Sequence, residues 1–439
     1  MDSMQTYFKN KRVTVMGLGL LGRGVGDAAF LAENGAEVTV TDIKTKAQLA
    51  ESASQLEKYP NIRFVLGEHK TGDFENVDMV FVAAGVPLDS PYLAHARDKG
   101  VKLVMSAAFF AEKSGIPVIG VTGTRGKSTV VHFITHTLAQ AGVQSLLGGN
   151  IRGVSNLQLL KVVEGIEIAV MELDSWQLQG FGWAGISPHI AVFTNLFEDH
   201  LNYYPDMETY FRDKANIYVH QKEDDALIIG KTVAEVWMQK LPALSGVKVP
   251  QILPSDWILQ IPGEHNRENA ALAVEAMRAY GLSEAVIKAG IESFTGVEGR
   301  LQLVKEVGGS KIYNDNNATT PLATMVALEA LDTGKKNVIL IAGGADKGLD
   351  ISELTLSVAK HCRQVILTPG SGTDRLVSLL HDGTVGVSVV EDLRGAVEAA
   401  QSAASEGDIL LFSPAFASFA QFKNEYERND EFVRIVNEL

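Results

Sequence analysis

One ten-residue stretch limits what this chain can fold into more than any other feature: Gly120-Val121-Thr122-Gly123-Thr124-Arg125-Gly126-Lys127-Ser128-Thr129. An apolar, strand-like run over 116–121 leads into it, and a helix-period segment with Val130, Phe133, Ile134 and Leu138 leads out. Strand, glycine turn and helix in that order predict a phosphate-binding loop. Glycines let the backbone approach an anion, and main-chain N–H groups at the helix N-terminus face it. Lys127 and Ser128 add a cation and a metal-ligating hydroxyl. Val121 stands five residues before Gly126, so the spacing is T-G-T-x-G-K-S-T rather than G-x-x-x-x-G-K-[ST]. Gly123, Thr124, Gly126, Lys127, Ser128 and Thr129 are the candidate nucleotide contacts.

At 439 residues the chain exceeds one ordinary core, and apolar runs alternate with helix-period segments almost throughout, the signature of α/β architecture. Motif content separates three blocks, 1–112, 113–297 and 298–439. A formal charge of −14 argues against a nucleic-acid-binding surface and for a soluble cytoplasmic enzyme. The single cysteine, Cys362, excludes an intramolecular disulfide and a cysteine-cluster metal site, and is expected in a core. Residues 1–12 are polar without a signal-peptide core, and no run approaches the ~20 apolar residues of a membrane span. A cytoplasmic monomer with no nucleic-acid or membrane partner is the expectation.

Other motifs sit where strands should end. Gly17-x-Gly19-x-x-Gly22 follows the run 13–16, with Asp42 twenty residues on at the end of the next strand. This is the dinucleotide fingerprint, a turn that sets a diphosphate over a helix N-terminus, although a tight ligand-free turn has the same pattern. A nicotinamide-dependent oxidoreductase fits it poorly, because a second phosphate loop lies a hundred residues later. Glu172 closes the run 168–171, where a carboxylate could hold Mg²⁺ with Ser128 or stand solvated. His200 ends Thr194-Asn-Leu-Phe-Glu-Asp199-His200, as a ligand or as a hydrogen-bonded structural histidine. Lys214 falls within an apolar stripe of Met207, Tyr210, Phe211, Ile217 and Tyr218; such a lysine either snorkels to water or has a depressed pKa. In the third block the loops 313–321, 343–348 and 413–422 each follow a strand, and together suggest one more ligand edge.

In this order the motifs resemble the Mur ligase family, the ATP-dependent amino-acid ligases of peptidoglycan synthesis. They are G-L-G-L-x-G, T-G-T-x-G-K-S-T, G-G-N-I (148–151), E-L-x-S-x-Q-L, N-x-x-E-D-H, the lysine segment and H-N-x-x-N (265–269). G-R (299–300), N-D-x-x-A-T, G-G-x-D-K-G and S-P-A-x-A-S-x-x-Q-F-K-N complete the series, which spans nearly the whole chain.

The resemblance implies three domains: a Rossmann-like UDP-substrate domain, a central P-loop-type ATPase domain with a mostly parallel sheet, and a Rossmann-like C-terminal amino-acid domain. It implies that ATP phosphorylates a substrate carboxylate and that an amine then displaces phosphate. The S-P-A-x-A-S segment points to the branch that adds D-glutamate to UDP-N-acetylmuramoyl-L-alanine. Relatives with another amino acid or acceptor, and a non-catalytic nucleotide-binding module, are the alternatives. By the same resemblance Lys127, Glu172, His200 and Lys214 are catalytic. Ser128 and Glu172 hold one Mg²⁺; His200 and Lys214, the latter as a CO₂-derived carbamate, help hold a second. Asn269, Arg300 and Asp315 join the loop in binding ATP, the last two from the third domain. Leu20, Leu21, Asp42 and Asn150 serve the UDP-linked substrate, and Thr319, Lys347, Ser418 and Phe419 the incoming amino acid. The chain departs from the family pattern at Arg125 (usually Asn), Asp174 (usually Ser), Ala83-Ala84-Gly85 (usually S-P-G), Asn317 (often Lys) and Glu425 (often aromatic).

Overall fold

Each block of the sequence carries its own sheet. The computed structural model describes residues 4–20, 22–87, 89–201, 203–237, 246–380, 383 and 385–439. The chain divides into two compact units, Met1–Leu253 with Glu268–Ile291, and Pro254–Arg267 with Glu292–Leu439.

The first unit holds two parallel sheets. In one, β1 (Arg12–Met16), β2 (Glu37–Asp42), β3 (Ile62–Leu66), β4 (Met79–Val82) and β5 (Lys102–Val104) lie in the order β3-β2-β1-β4-β5. The order reverses between β1 and β4, and a crevice at the strands' C-terminal ends follows from that reversal. Both faces are apolar, as a parallel sheet covered by helices requires. Val13, Val15, Val38, Val40 and Phe81 pack on the helix Arg23–Glu33, while Met16, Val80 and Val82 pack on Phe74, Leu93 and Ala96.

The second sheet contains β6 (Val118–Thr122), β7 (Ser145–Gly149), β8 (Ile168–Glu172), β9 (Ile190–Phe193), β10 (Ala226–Ile229) and β11 (Val247–Lys248), ordered β11-β10-β9-β6-β8-β7 and parallel throughout. Phe193, Phe211 and Trp237 stack in succession on one face, with centroids 6.1 and 4.6 Å apart. The two sheets meet through side chains. Ser155 Oγ donates to Asp27 Oδ1 (2.6 Å), and Gln158 Nε2 to the Gly26 carbonyl (2.9 Å).

The second unit is built on β12 (Gln302–Val307), β13 (Ser310–Asn314), β14 (Val338–Gly343), β15 (Cys362–Thr368), β16 (Gly386–Val389) and β17 (Ile409–Phe412), ordered β12-β13-β17-β14-β15-β16. Only the β12–β13 pair is antiparallel. Strand alternation sends Leu340, Val365 and Leu411 to one core and Ile339, Ile341 and Leu410 to the other. Cys362 is buried, as expected, and desolvation pushes its thiol up to about 12. Three α/β domains with mostly parallel sheets match the expected class. Among the described residues no helix is long and apolar enough to cross a membrane.

Candidate active site

The glycine loop joins β6 to the helix Lys127–Gln140. Gly126 caps that helix at φ 81°, and a Cβ placed on it would lie 2.2 Å from Asn269 Oδ1. Only glycine combines that left-handed backbone with so close an approach, and the same contact places Asn269 against the loop. The 194–197 segment pins the loop from the β9 side. Thr124 N donates to the Asn195 carbonyl (3.0 Å) and Arg125 N to Asn195 Oδ1 (2.8 Å), while Thr194 Oγ1 donates to the Arg125 carbonyl (2.6 Å). Lys127 Nζ donates to the carbonyls of Gly123 (3.0 Å) and Thr124 (3.2 Å), within the loop it would serve.

Ser128 Oγ donates to Glu172 Oε2 at 2.5 Å, both side chains being buried. A hydroxyl and a carboxylate brought together in this way are hard oxygen donors of the kind Mg²⁺ takes alongside phosphate. Asn150 N donates to the Glu172 carbonyl (2.7 Å), so the end of β7 closes on the end of β8.

Lys214 does not snorkel: it is 1% exposed. The helix carrying it, Met207–Ala215, is shorter than the apolar stripe, and Ile217 and Tyr218 are buried beyond its end. Lys214 Nζ donates to the Gly123 carbonyl (3.0 Å) and Thr122 Oγ1 (3.3 Å) and lies 4.9 Å from the Tyr210 ring centre. Burial, and then the ammonium of Lys127, push its pKa well below the ordinary lysine range, which favours the neutral amine. His200 faces the same Tyr210 ring (6.0 Å between centres), packs on Trp176 (4.7 Å), and stands 3.8 Å from Asp199. Its backbone is left-handed (φ 56°), and burial lowers its pKa. Asp174 caps the helix Ser175–Ala184 by accepting from Gln177 N (2.7 Å), and desolvation raises its pKa against the pull of Lys214, Lys127 and Arg23.

A cavity of about 670 Å³ opens beside the first glycine turn, lined among others by Leu18, Leu20, Arg23, Asp42, Lys44 and His69. Leu20 is exposed at this cavity; Leu21 lies outside the described residues. Asp42 lines the cavity, but its carboxylate is spent on the backbone: Oδ2 accepts from Leu18 N (2.9 Å) and Gly19 N (3.2 Å), and Oδ1 from Lys44 N (2.9 Å). Asn150 is reached from the cavity wall by a hydrogen bond donated by Arg23 Nη1.

In the second unit Lys347 Nζ donates to Thr319 Oγ1 (3.1 Å), and paired backbone bonds between Ala345 and Ala417 bring the 343–348 loop to the loop carrying Ser418. Thr319, Lys347 and Ser418 thus share one sheet edge, with Phe419 exposed beside them. Asp315 is buried; Oδ1 accepts from Leu301 N (3.1 Å) and Oδ2 from Ser413 Oγ (2.8 Å), fixing the backbone next to the exposed Arg300. Asn317 bonds within its own loop, its Oδ1 accepting from Asn316 Nδ2 (3.3 Å).

Two arginines escape motif reading. Arg428 is buried, donates from Nε to Asn316 Oδ1 (2.8 Å) and from Nη2 to the Asn316 carbonyl (3.0 Å), and burial lowers its pKa to about 10. Arg23 follows the fingerprint's last glycine, and that position was its only sequence signal.

Three family models match the chain. They are the Mur ligase MurD-like N-terminal domain over 11–105, the Mur ligase middle domain over 121–249, and the Mur ligase glutamate ligase domain over 299–416. The UDP-N-acetylmuramoylalanine--D-glutamate ligase of Roseiflexus sp. (strain RS-1) is 37% identical over 97% of this chain and 98% of its own length. That of Borreliella burgdorferi (strain ZS7) is 32% identical over 98% of each. The solved UDP-N-acetylmuramate-alanine ligase of Thermotoga maritima shares the fold, with a TM-score of 0.62 at 18% identity over 98% of this chain and 100% of that one.

Proposed function

The chain belongs to the Mur ligase family, and we propose that it joins D-glutamate to UDP-N-acetylmuramoyl-L-alanine with cleavage of ATP, a step of peptidoglycan precursor synthesis. The observation that carries this reading is the gathering of Lys127, Ser128, Glu172 and Lys214 under one phosphate loop in the chain's family context.

The substrate carboxylate attacks the γ-phosphorus of ATP, giving an acyl phosphate and ADP. The amine of D-glutamate then adds to the acyl carbon, loses a proton, and expels phosphate. Loop N–H groups and Lys127 stabilise the charge spread over the transferring phosphoryl group. Ser128 and Glu172 would hold one Mg²⁺. His200 and Lys214 would serve a second, Lys214 as the carbamate formed when its neutral amine adds to CO₂ and releases a proton. Bound Mg²⁺ supplies the charge neutralisation that lets carboxylate and phosphate, both anions, meet. Asn150 orients the reacting end of the UDP-linked substrate. Asn269, Arg300 and Asp315 bind ATP, Arg300 by its cation and Asp315 partly by fixing the Arg300–Leu301 backbone. Thr319, Lys347, Ser418 and Phe419 take the amino acid, with Lys347 as the carboxylate's cation in a chain that has Asn317 where a lysine is common.

The test is phosphate release from MgATP and UDP-N-acetylmuramoyl-L-alanine with D-Glu, L-Glu, D-Asp, L-Lys or diaminopimelate. Release with D-Glu alone, with the coupled product seen by mass, is expected. Release with another amino acid moves the specificity, and silence with every pair rejects the acceptor. Rates unchanged in buffer stripped of CO₂, after prolonged dialysis, would remove the carbamate from the scheme.

A further inference from the structure

We propose that Arg23 is a substrate-binding residue, its guanidinium gripping the diphosphate of the UDP-linked substrate while holding Asn150 toward the reacting end. The assignment rests on the acceptor proposed above.

Arg23 is the first residue of the helix Arg23–Glu33, directly after the left-handed Gly22 (φ 81°), and it lines the 670 Å³ cavity. A fingerprint turn ordinarily offers an anion its own N–H groups together with the helix N-terminus. Here Asp42 Oδ2 has already taken the N–H groups of Leu18 and Gly19. The carboxylate also adds negative charge beneath the turn, so a diphosphate bound there needs a side-chain cation.

The basic groups on the cavity wall are Arg23, Lys44 and His69. His69 shares Nδ1 with Thr41 Oγ1 (2.8 Å) and packs edge-on against Phe74 and Tyr92, and burial lowers its pKa, disfavouring its charged form. Lys44 follows Asp42 at the end of β2. Arg23, directly after Gly22, is the cation whose own backbone belongs to the glycine turn, and Lys44 sits across the cavity wall on the β2 side. Two acids on which its charge acts are already engaged, Asp27 by Ser155 Oγ (2.6 Å) and Leu157 N (3.4 Å), and Asp174 by Gln177 N (2.7 Å).

Geometry adds a second role. Arg23 Nη1 donates to Asn150 Oδ1, 127 residues away and on the other sheet. A guanidinium has five N–H donors in a rigid fork, so one can hold Asn150 while others reach phosphate oxygens. Asn150 N is in turn bonded to the carbonyl of Glu172 (2.7 Å). A filled diphosphate subsite would thus steady the residue next to the proposed metal ligand, and lysine, a single point charge, could not do both.

The experiment is equilibrium binding of UDP and of uridine to the full chain, unsubstituted and as Arg23→Met and Arg23→Lys. The unsubstituted chain should bind UDP more tightly than uridine. Arg23→Met should lose about 10–100-fold for UDP, the scale of a charge-assisted contact, with uridine unchanged. Arg23→Lys should keep most of the UDP preference while kcat with the full substrates falls, because Asn150 is released. An unaltered UDP-to-uridine ratio in Arg23→Met, or equal loss of both ligands, would overturn the assignment. Failure of the unsubstituted chain to bind UDP would reject the acceptor itself, and this assignment with it.

Discussion

Asp315 is a carboxylate held where charge is costly. Burial is the main cause that raises its pKa to about 7, against the Ser413 hydroxyl, the Leu301 N–H and the charge of Arg300, all of which favour the ionised form. An unfolded aspartate titrates near ~3.9. Between those values the folded state holds a proton that the unfolded state has released, so stability is highest below the lower pKa and is lost as pH rises through the upper one. The loss amounts to at most ~4 kcal/mol. Asp315→Asn keeps the shape and removes the charge. It should be more stable than the parent by on the order of 1–3 kcal/mol at pH 8 and by less at pH 5.5, as read from urea unfolding at both values. Its KM for ATP should rise, since the proposed ATP site would lose its carboxylate. A stability gap that does not grow with pH would mean that the group is ionised throughout. A charge kept at such a cost is the pattern expected of a functional residue rather than a structural one.

At the scale of elements, the ends of strands were legible and the contacts between helices were not. Gly17, Gly123, Glu172 and the 313–321 loop announce themselves because polar or glycine residues interrupt apolar runs, and in a parallel sheet those interruptions fall on the ligand edge. Lys214 was legible as an anomaly but not as an outcome, because periodicity does not say whether an apolar stripe meets solvent. Arg23 and Arg428 were not legible because their meaning lies in partners more than a hundred residues away. Gly26 belongs to the same class. A Cβ there would sit 2.4 Å from Ser155 Cβ and 3.1 Å from its Oγ, with Gln158 Cγ at an ordinary 3.5 Å. Gly26→Ala should therefore push the helix Arg23–Glu33 off the helix Asn156–Leu159, costing ~1–3 kcal/mol as overpacking does. The UDP-substrate KM should rise with it, because Arg23 rides on that helix. Ser155→Gly removes the opposing atoms along with its own bond to Asp27, so Gly26→Ala should cost less in the Ser155→Gly background than in the parent, a coupling that a double-mutant cycle by chemical denaturation measures. Additive losses would show that the helices separate for another reason.

For the whole molecule, three family domains and two compact units have to be reconciled. The segments 11–105 and 121–249 match separate domain models, yet both lie in one unit with 268–291. The contacts joining them are specific: Asp27 with Ser155, the Gly26 carbonyl with Gln158, Arg23 with Asn150, and Tyr203 Oη donating to the Val86 carbonyl (3.2 Å). Several of these involve buried or half-buried polar groups, and separating the sheets would leave them exposed or unpaired at a cost of ~1–3 kcal/mol each where they stay buried. The first two sheets should therefore unfold in a single transition. A ligand of either sheet should stabilise that whole transition by mass action, about 2.7 kcal/mol at a hundred times its Kd. UDP, proposed for the cavity beside β1, and a non-hydrolysable ATP analogue, proposed for the loop after β6, should raise the same calorimetric transition and add when present together. Hydrogen exchange should then slow in strands of both sheets with either ligand alone. Two transitions, each answering to only one ligand, would mean that the first domain melts on its own and that the bonds around Arg23 and Ser155 are too weak to couple the two sites.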